Sequence, residues 1–111
     1  MNFLEKQCTI TSHRLDDQTI RRYLSDVEGW VLRGTSLTRT FTFPTYLDGV
    51  AFVAETGRLA VAEQHHPTIT ITYTGVAVET TTHDAGGLTE NDFILAAKIN
   101  ALYSKGEGSG F

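Results

Sequence analysis

The stretch Ala62–Thr89, AEQHHPTITITYTGVAVETTTHDAGGLT, decides how the chain is read. Ile69, Ile71 and Tyr73 alternate with threonines, and Val76 and Val78 resume the alternation after Thr74 and Gly75. Period-two patterning on both sides of a two-residue glycine turn predicts an antiparallel hairpin with one apolar face. With Thr74-Gly75 as the turn, Tyr73 is expected opposite Val76, Ile71 opposite Val78, Ile69 opposite Thr80 and Thr68 opposite Thr81. Carried past Pro67, the same register sets His66 across from His83 and His65 across from Asp84. Histidines distant in sequence are thereby expected together at the open end of one hairpin, with His65 pointing away from His66. Pro67 also keeps His66 out of the helical region.

Working outward, LDDQTIRRYLSDVEGW (Leu15–Trp30) predicts a first helix. Asp16 or Asp17 caps it, Ile20, Leu24 and Val27 form its apolar face, and Gly29 stops it. WVLRGTSLTRTFTF (Trp30–Phe43) predicts a first hairpin turning at Gly34-Thr35. Leu37, Arg39, Phe41 and Phe43 share one of its sides, Thr38, Thr40 and Thr42 take the other, and Pro44 ends it. YLDGVAFVAETGRLAVAEQ (Tyr46–Gln64) predicts a second helix. Val50, Ala54, Gly57 and Val61 make one stripe, which Leu47, Ala51, Val53 and Ala60 widen until little polar surface remains. Such a helix needs more than one neighbour, a second subunit among the candidates. GGLTENDFILAAKINALY (Gly86–Tyr103) predicts a third helix, capped by Thr89 and striped by Leu95, Ile99 and Leu102. The expected fold is therefore α+β: a four-stranded antiparallel sheet covered on one face by three helices, in the order α-β-β-α-β-β-α. The chain reads as a single domain over residues 1–111, with residues 1–13 and the glycine-rich 104–111 expected to be flexible.

Composition narrows the function. With 111 residues, 41% of them apolar, the chain suits one modest core. A net charge of −4 and the absence of a basic run argue against direct nucleic-acid binding. No segment has the length and apolarity of a signal peptide or a membrane helix. The lone Cys8 makes no internal disulfide. Together these features predict a soluble cytoplasmic protein without membrane contact.

The histidine cluster suggests proton transfer, since imidazole donates or accepts a proton near neutrality. Structural roles are open to each member. His65 and His66 suit the negative end of the second helix, Thr89 and Asp92 approximate a capping box, and His83 suits an exposed strand end. A metal site ranks below acid–base work, because adjacent histidines on opposite strand faces rarely share one ion. His13 lies outside the cluster and reads as a surface residue.

His65-His66-Pro67, then Tyr73, Thr82-His83, Gly87-Leu88-Thr89 and Asp92 resemble the signature of the pterin-4a-carbinolamine dehydratase family. The resemblance is strongest from His65 to Ile99 and continues more weakly back to Trp30. It implies the same α+β fold. It also implies a 4a-hydroxytetrahydrobiopterin dehydratase, which converts 4a-hydroxytetrahydropterin to quinonoid dihydropterin and water in recycling the cofactor of aromatic amino acid hydroxylases. The pterin is then the substrate, and no cofactor or metal is implied. His65, His66 and His83 would be catalytic, with His65 and His83 moving protons and His66 orienting substrate. Thr82 and Asp92 would join His66 in binding it, and Asp92 could orient a histidine. A homodimer or homotetramer is also implied, consistent with the apolar second helix. The chain departs from the pattern at Val61 and Thr68, where many members carry acidic residues, and has Glu63 nearer the histidines. The alternative reading is a non-catalytic oligomeric relative that serves as an interaction or accessory module.

Overall fold

A computed structural model describes the backbone of residues 1–109 and the side chains of residues 1–106. The elements are α1 (Asp17–Leu24), β1 (Val31–Arg33), β2 (Ser36–Thr42), α2 (Tyr46–Glu63), β3 (Thr68–Ile71), β4 (Gly75–Thr80) and α3 (Glu90–Ser109). Short 3-10 turns occur at Phe3–Glu5 and His83–Ala85. The sheet is antiparallel throughout, with spatial order β1-β2-β4-β3. This is the α+β order that the hydrophobic patterning anticipates.

Alternation sends Leu37, Phe41, Val76 and Val78 into the core, where they meet Phe52 of α2 and Phe93, Leu95 and Ile99 of α3. The threonines between them face outward or lie near the surface. Arg39 shares the apolar side of β2 because its guanidinium lies over the rings of Phe41 and Tyr103, at 4.5 and 5.3 Å. Its Nη1 donates to the carbonyl of Glu28 and to Asn100 Oδ1, both at 2.8 Å.

The helices differ in extent from their sequence patterns. Asp16, not Asp17, caps α1 by accepting from Thr19 N–H at 2.8 Å, a bond that holds its carboxyl below the ordinary range. This helix ends at Leu24, and Val27 is buried in the loop beyond it. Gly49, Phe52, Thr56 and Ala60 form the buried side of α2. The stripe of Val50, Ala54, Gly57 and Val61 lies on the outer part of the helix: Val50 and Val61 are 39% and 66% exposed, and neighbouring Leu47 is 73% exposed. The described chain leaves this apolar surface uncovered. The tail expected to be flexible from residue 104 carries α3 on as far as Ser109, while Gly110 and Phe111 lie outside the described residues. Residues 1–13, also expected to be flexible, make specific contacts, beginning with Phe3, which stacks on Phe93 and meets Tyr23 edge-on.

The first hairpin turns at Gly34-Thr35 as expected, pairing Arg33 with Ser36. The second differs from its expected register by two residues. Ile71 faces Val76, Ile69 faces Val78 and Thr68 faces Glu79, so the turn centres on Tyr73-Thr74 and Thr72 N–H bonds the Gly75 carbonyl at 2.8 Å. The reason lies in Gly75, which is a strand residue opposite Thr42. A Cβ there would stand 3.0 Å from the Phe41 carbonyl oxygen, so this glycine serves the approach of β2 and not the turn. A two-residue shift preserves side-chain parity, so the apolar face stays apolar.

Replacing Gly75 by alanine is expected to cost about 1–3 kcal/mol through this backbone contact. Gly57→Ala, whose Cβ meets nothing within 4 Å on α2, is expected to gain up to about 1 kcal/mol. Urea unfolding of both variants checks the pair; equal effects would refute the close-approach reading.

Candidate active site

The end of α2 sets the first histidine. Gln64 adopts a left-handed conformation (φ 54°), and its N–H bonds the carbonyls of Ala60 and Val61. His65 N–H follows onto the Ala60 carbonyl at 3.1 Å. This closes the helix in the Schellman manner with a residue other than glycine, at a conformational cost of about 1 kcal/mol. The reversal delivers His65 to the helix-covered side of the sheet, where its Nε2 lies 2.8 Å from Asp92 Oδ1. The His65 side chain is only 12% exposed and Asp92 is fully buried.

Asp92 has four partners. Besides His65, its Oδ1 accepts from Thr80 Oγ1 at 2.7 Å, while its Oδ2 accepts from Thr82 Oγ1 at 2.8 Å and from Thr89 N–H at 3.0 Å. The last bond is one half of the expected capping box. Thr89 turns its own hydroxyl to Thr82 at 2.9 Å. Thr82 lies two residues beyond Thr80, the last residue of β4, and both hydroxyls reach Asp92; of the two, only Thr82 was expected from the sequence.

His83 stands on the 3-10 turn and not in the strand. A bridge between Thr82 and Gly87 closes that loop, and Gly86 (φ 72°) accepts the left-handed turn it needs. His83 therefore does not face His66 in a ladder, and the observed register carries Thr81 to that place. Proximity survives the shift. His65, His66 and His83 line one open cleft of about 250 Å³ with Gln64, Thr81, Thr82 and Asp84. His66 and His83 also line a recess of about 130 Å³ with Ser36, Thr68, Glu79 and Thr81. His65 also lines a second recess of about 210 Å³, together with Cys8, Thr9, Ile10, Glu63 and Asn91. His66 and His83 are exposed, and so is His13, which lies outside the cleft.

The wall formed by the N-terminal segment and Glu63 was not anticipated. Glu63 Oε1 accepts from Cys8 N–H at 2.8 Å, and Oε2 pairs with Lys98 Nζ at 2.7 Å. Burial alone would raise the Glu63 carboxyl, but the Cys8 amide and Lys98 outweigh it and hold it below the ordinary range. Burial, reinforced by Glu63, pushes the Cys8 thiol up to about 12. Glu63 is thus committed to these partners, while Val61 is 66% exposed. Among the described residues, no group of three or more His, Cys, Asp or Glu could hold a metal ion. Nor is any helix among them long and apolar enough to cross a membrane.

Residues 13–102 match the sequence profile of the family described as Pterin 4 alpha carbinolamine dehydratase. A protein of Halobacterium salinarum, provisionally named a pterin-4-alpha-carbinolamine dehydratase, is 52% identical over 89 residues, covering 80% of this chain and 96% of its own. One of the same provisional name from Xanthomonas oryzae is 45% identical over 98 residues, covering 86% and 83%. Among solved structures, a transcriptional coactivator/pterin dehydratase from Brucella melitensis superposes with a TM-score of 0.78 at 31% identity, covering 82% of this chain and 99% of that one. A pterin dehydratase-like protein identified as a RuBisCO assembly factor in the alpha-carboxysome superposes with a TM-score of 0.59 at 25% identity, over 68% and 90%. Profile, relatives and fold agree: the chain belongs to the pterin-4a-carbinolamine dehydratase family.

Proposed function

We propose that this chain dehydrates a 4a-hydroxytetrahydropterin to the quinonoid dihydropterin, using histidines as general acid and base. The observation that carries the reading is the single cleft lined by three imidazoles, one of them fixed through Asp92. The reaction breaks the C4a–O bond and removes the proton on N5, so that a C4a=N5 double bond forms and water leaves. A protonated imidazole supplies the proton to the departing hydroxyl, and a neutral imidazole takes the one from N5. In the proposed division His65 and His83 perform these transfers, and His66 binds and orients the ring with Thr82. Asp92 holds His65 Nε2 and leaves Nδ1 for exchange with substrate. No cofactor or metal enters the scheme. The proposed setting is the cytoplasm, where the product would re-enter the cycle of an aromatic amino acid hydroxylase.

A homodimer or homotetramer is part of the proposal, supported by the uncovered apolar surface of α2 at Leu47, Val50 and Val61. Sedimentation equilibrium should then give a mass that is a multiple of 12.2 kDa, and Leu47→Asp should lower it. A monomeric parent would remove this part of the reading.

Purified protein is expected to accelerate water loss from the 4a-hydroxy intermediate, and His83→Ala to lower kcat/KM by on the order of 100-fold or more with its far-UV spectrum unchanged. Asp92→Asn is expected to lower kcat and also to destabilise the fold by about 1–3 kcal/mol, because the oxygen exchanged for an amide NH2 bonds two of the four partners. A parent protein no faster than buffer would sink the enzymatic reading and leave the non-catalytic accessory role.

A further inference from the structure

The segment Cys8–Thr11 lines the recess of about 210 Å³ beside His65 but has no part in the proposed proton transfers. Asn91, only 6% exposed, grips Thr9 as a strand partner would. Its Oδ1 accepts Thr9 N–H at 3.0 Å and its Nδ2 donates to the Thr9 carbonyl at 2.6 Å. Cys8 is held on both sides, its N–H by Glu63 and its Sγ by the Asn91 carbonyl at 3.5 Å. Glu63 is itself fixed by Lys98, so two helices anchor the segment. After Thr9 the next backbone tie to the body of the protein, among the described residues, is Leu15 N–H on the Leu88 carbonyl at 2.8 Å.

Between these anchors Ile10 is fully exposed (104%) while lining the recess that His65 also lines. Neighbouring Thr9 and Thr11 line the same recess. An anchored backbone that presents an exposed aliphatic side chain beside this recess offers dispersion contact to a flat ring entering it, and water is released when that side chain is covered. Asn91 is adjacent in sequence to Asp92, so the grip on the segment and the hold on His65 come from one turn of α3.

We propose that Cys8–Thr11 is a substrate-binding strap: Ile10 closes against the face of the bound pterin ring, and Asn91 and Glu63 are positioning residues that hold the strap in place. The inference rests on the dehydratase reading, in that it takes the ring to enter beside His65. It adds a determinant of affinity that lies outside the histidine motif.

The test compares the parent protein with Ile10→Ser and Asn91→Ala. Dehydration kinetics give KM and kcat, quenching of 7,8-dihydropterin fluorescence gives Kd, and alkylation of Cys8, the only cysteine, reports release of the strap. Ile10→Ser is expected to raise KM and Kd about tenfold, with kcat changed by less than about twofold. Asn91→Ala should do the same and also speed Cys8 alkylation in the native state. Ile10 is fully exposed, so its variant folds even if Asn91→Ala does not. Unchanged KM and Kd in Ile10→Ser would overturn the strap, reducing it to a structural tie. So would a fall in kcat alone in Asn91→Ala, which would place the effect on Asp92 and His65. A parent that binds dihydropterin without turnover leaves the Kd comparison to decide. A parent that does neither ends the dehydratase reading first, and the strap with it.

Discussion

Asp92 presents two oxygens to donors or imidazole from four places in the chain: Thr80 at the end of β4, Thr82 in the following loop, Thr89 at the start of α3, and His65 just beyond α2. It has no exposure to water, so each of these bonds replaces hydration that the carboxylate has lost. Leaving any one unmade costs the buried carboxylate part of that replacement, which makes the set cooperative. The start of α3, the exit of β4 and the imidazole are thereby fixed relative to one another by one side chain. Packing alone would hold α3 on the sheet through Phe93, Leu95 and Ile99. It would not set the azimuth of the His65 ring.

That junction explains why a polar cleft can exist beside a dry core. On the helix side, Thr80 is 1% exposed and Thr89 is fully buried, yet both hydroxyls are satisfied within the cluster. On the other side, His66 and His83 stay exposed and lack this constraint. The histidines therefore fall into two environments: one imidazole held by a carboxylate and two open to solvent.

Much of the fold was legible because it rests on periodicity. Leu37, Phe41, Val76 and Val78 declare their common face by alternation, and Gly34-Thr35 declares a turn. The second turn was misread because Gly75 satisfies two demands equally well in sequence. Only the neighbouring strand, absent from any local window, shows that the glycine makes room for the Phe41 carbonyl. The clustering of the histidines survived the error because it depends on which end of the hairpin they occupy, and the shift of two residues kept both the end and the parity. Their mutual placement did not survive, since the 3-10 turn lifts His83 out of the ladder. Asp92 was legible as a cap from its spacing to Thr89, but its bond to His65 joins residues 27 apart, through a reversal at Gln64 that no glycine announced.

The N-terminal segment was illegible for a different reason. KQCTIT has no hydrophobic period, and the side chains that order it, Glu63 and Asn91, belong to helices far along the sequence. They bind its backbone, which is the same for every residue, so QCTI carries little trace of the contact. Asn91 also looks in sequence like an ordinary polar residue in the first turn of α3. Once the fold is in place its position is constrained: Asp92 must turn toward Thr80 and His65, and the residue before it then projects about 100° around the helix, toward the N-terminal segment. The same turn of α3 that orients the imidazole thus supplies the amide that anchors the facing wall. Motif matching finds the histidines and the aspartate because their chemistry restricts their identity. It passes over Asn91 because hydrogen bonding to a backbone restricts only geometry.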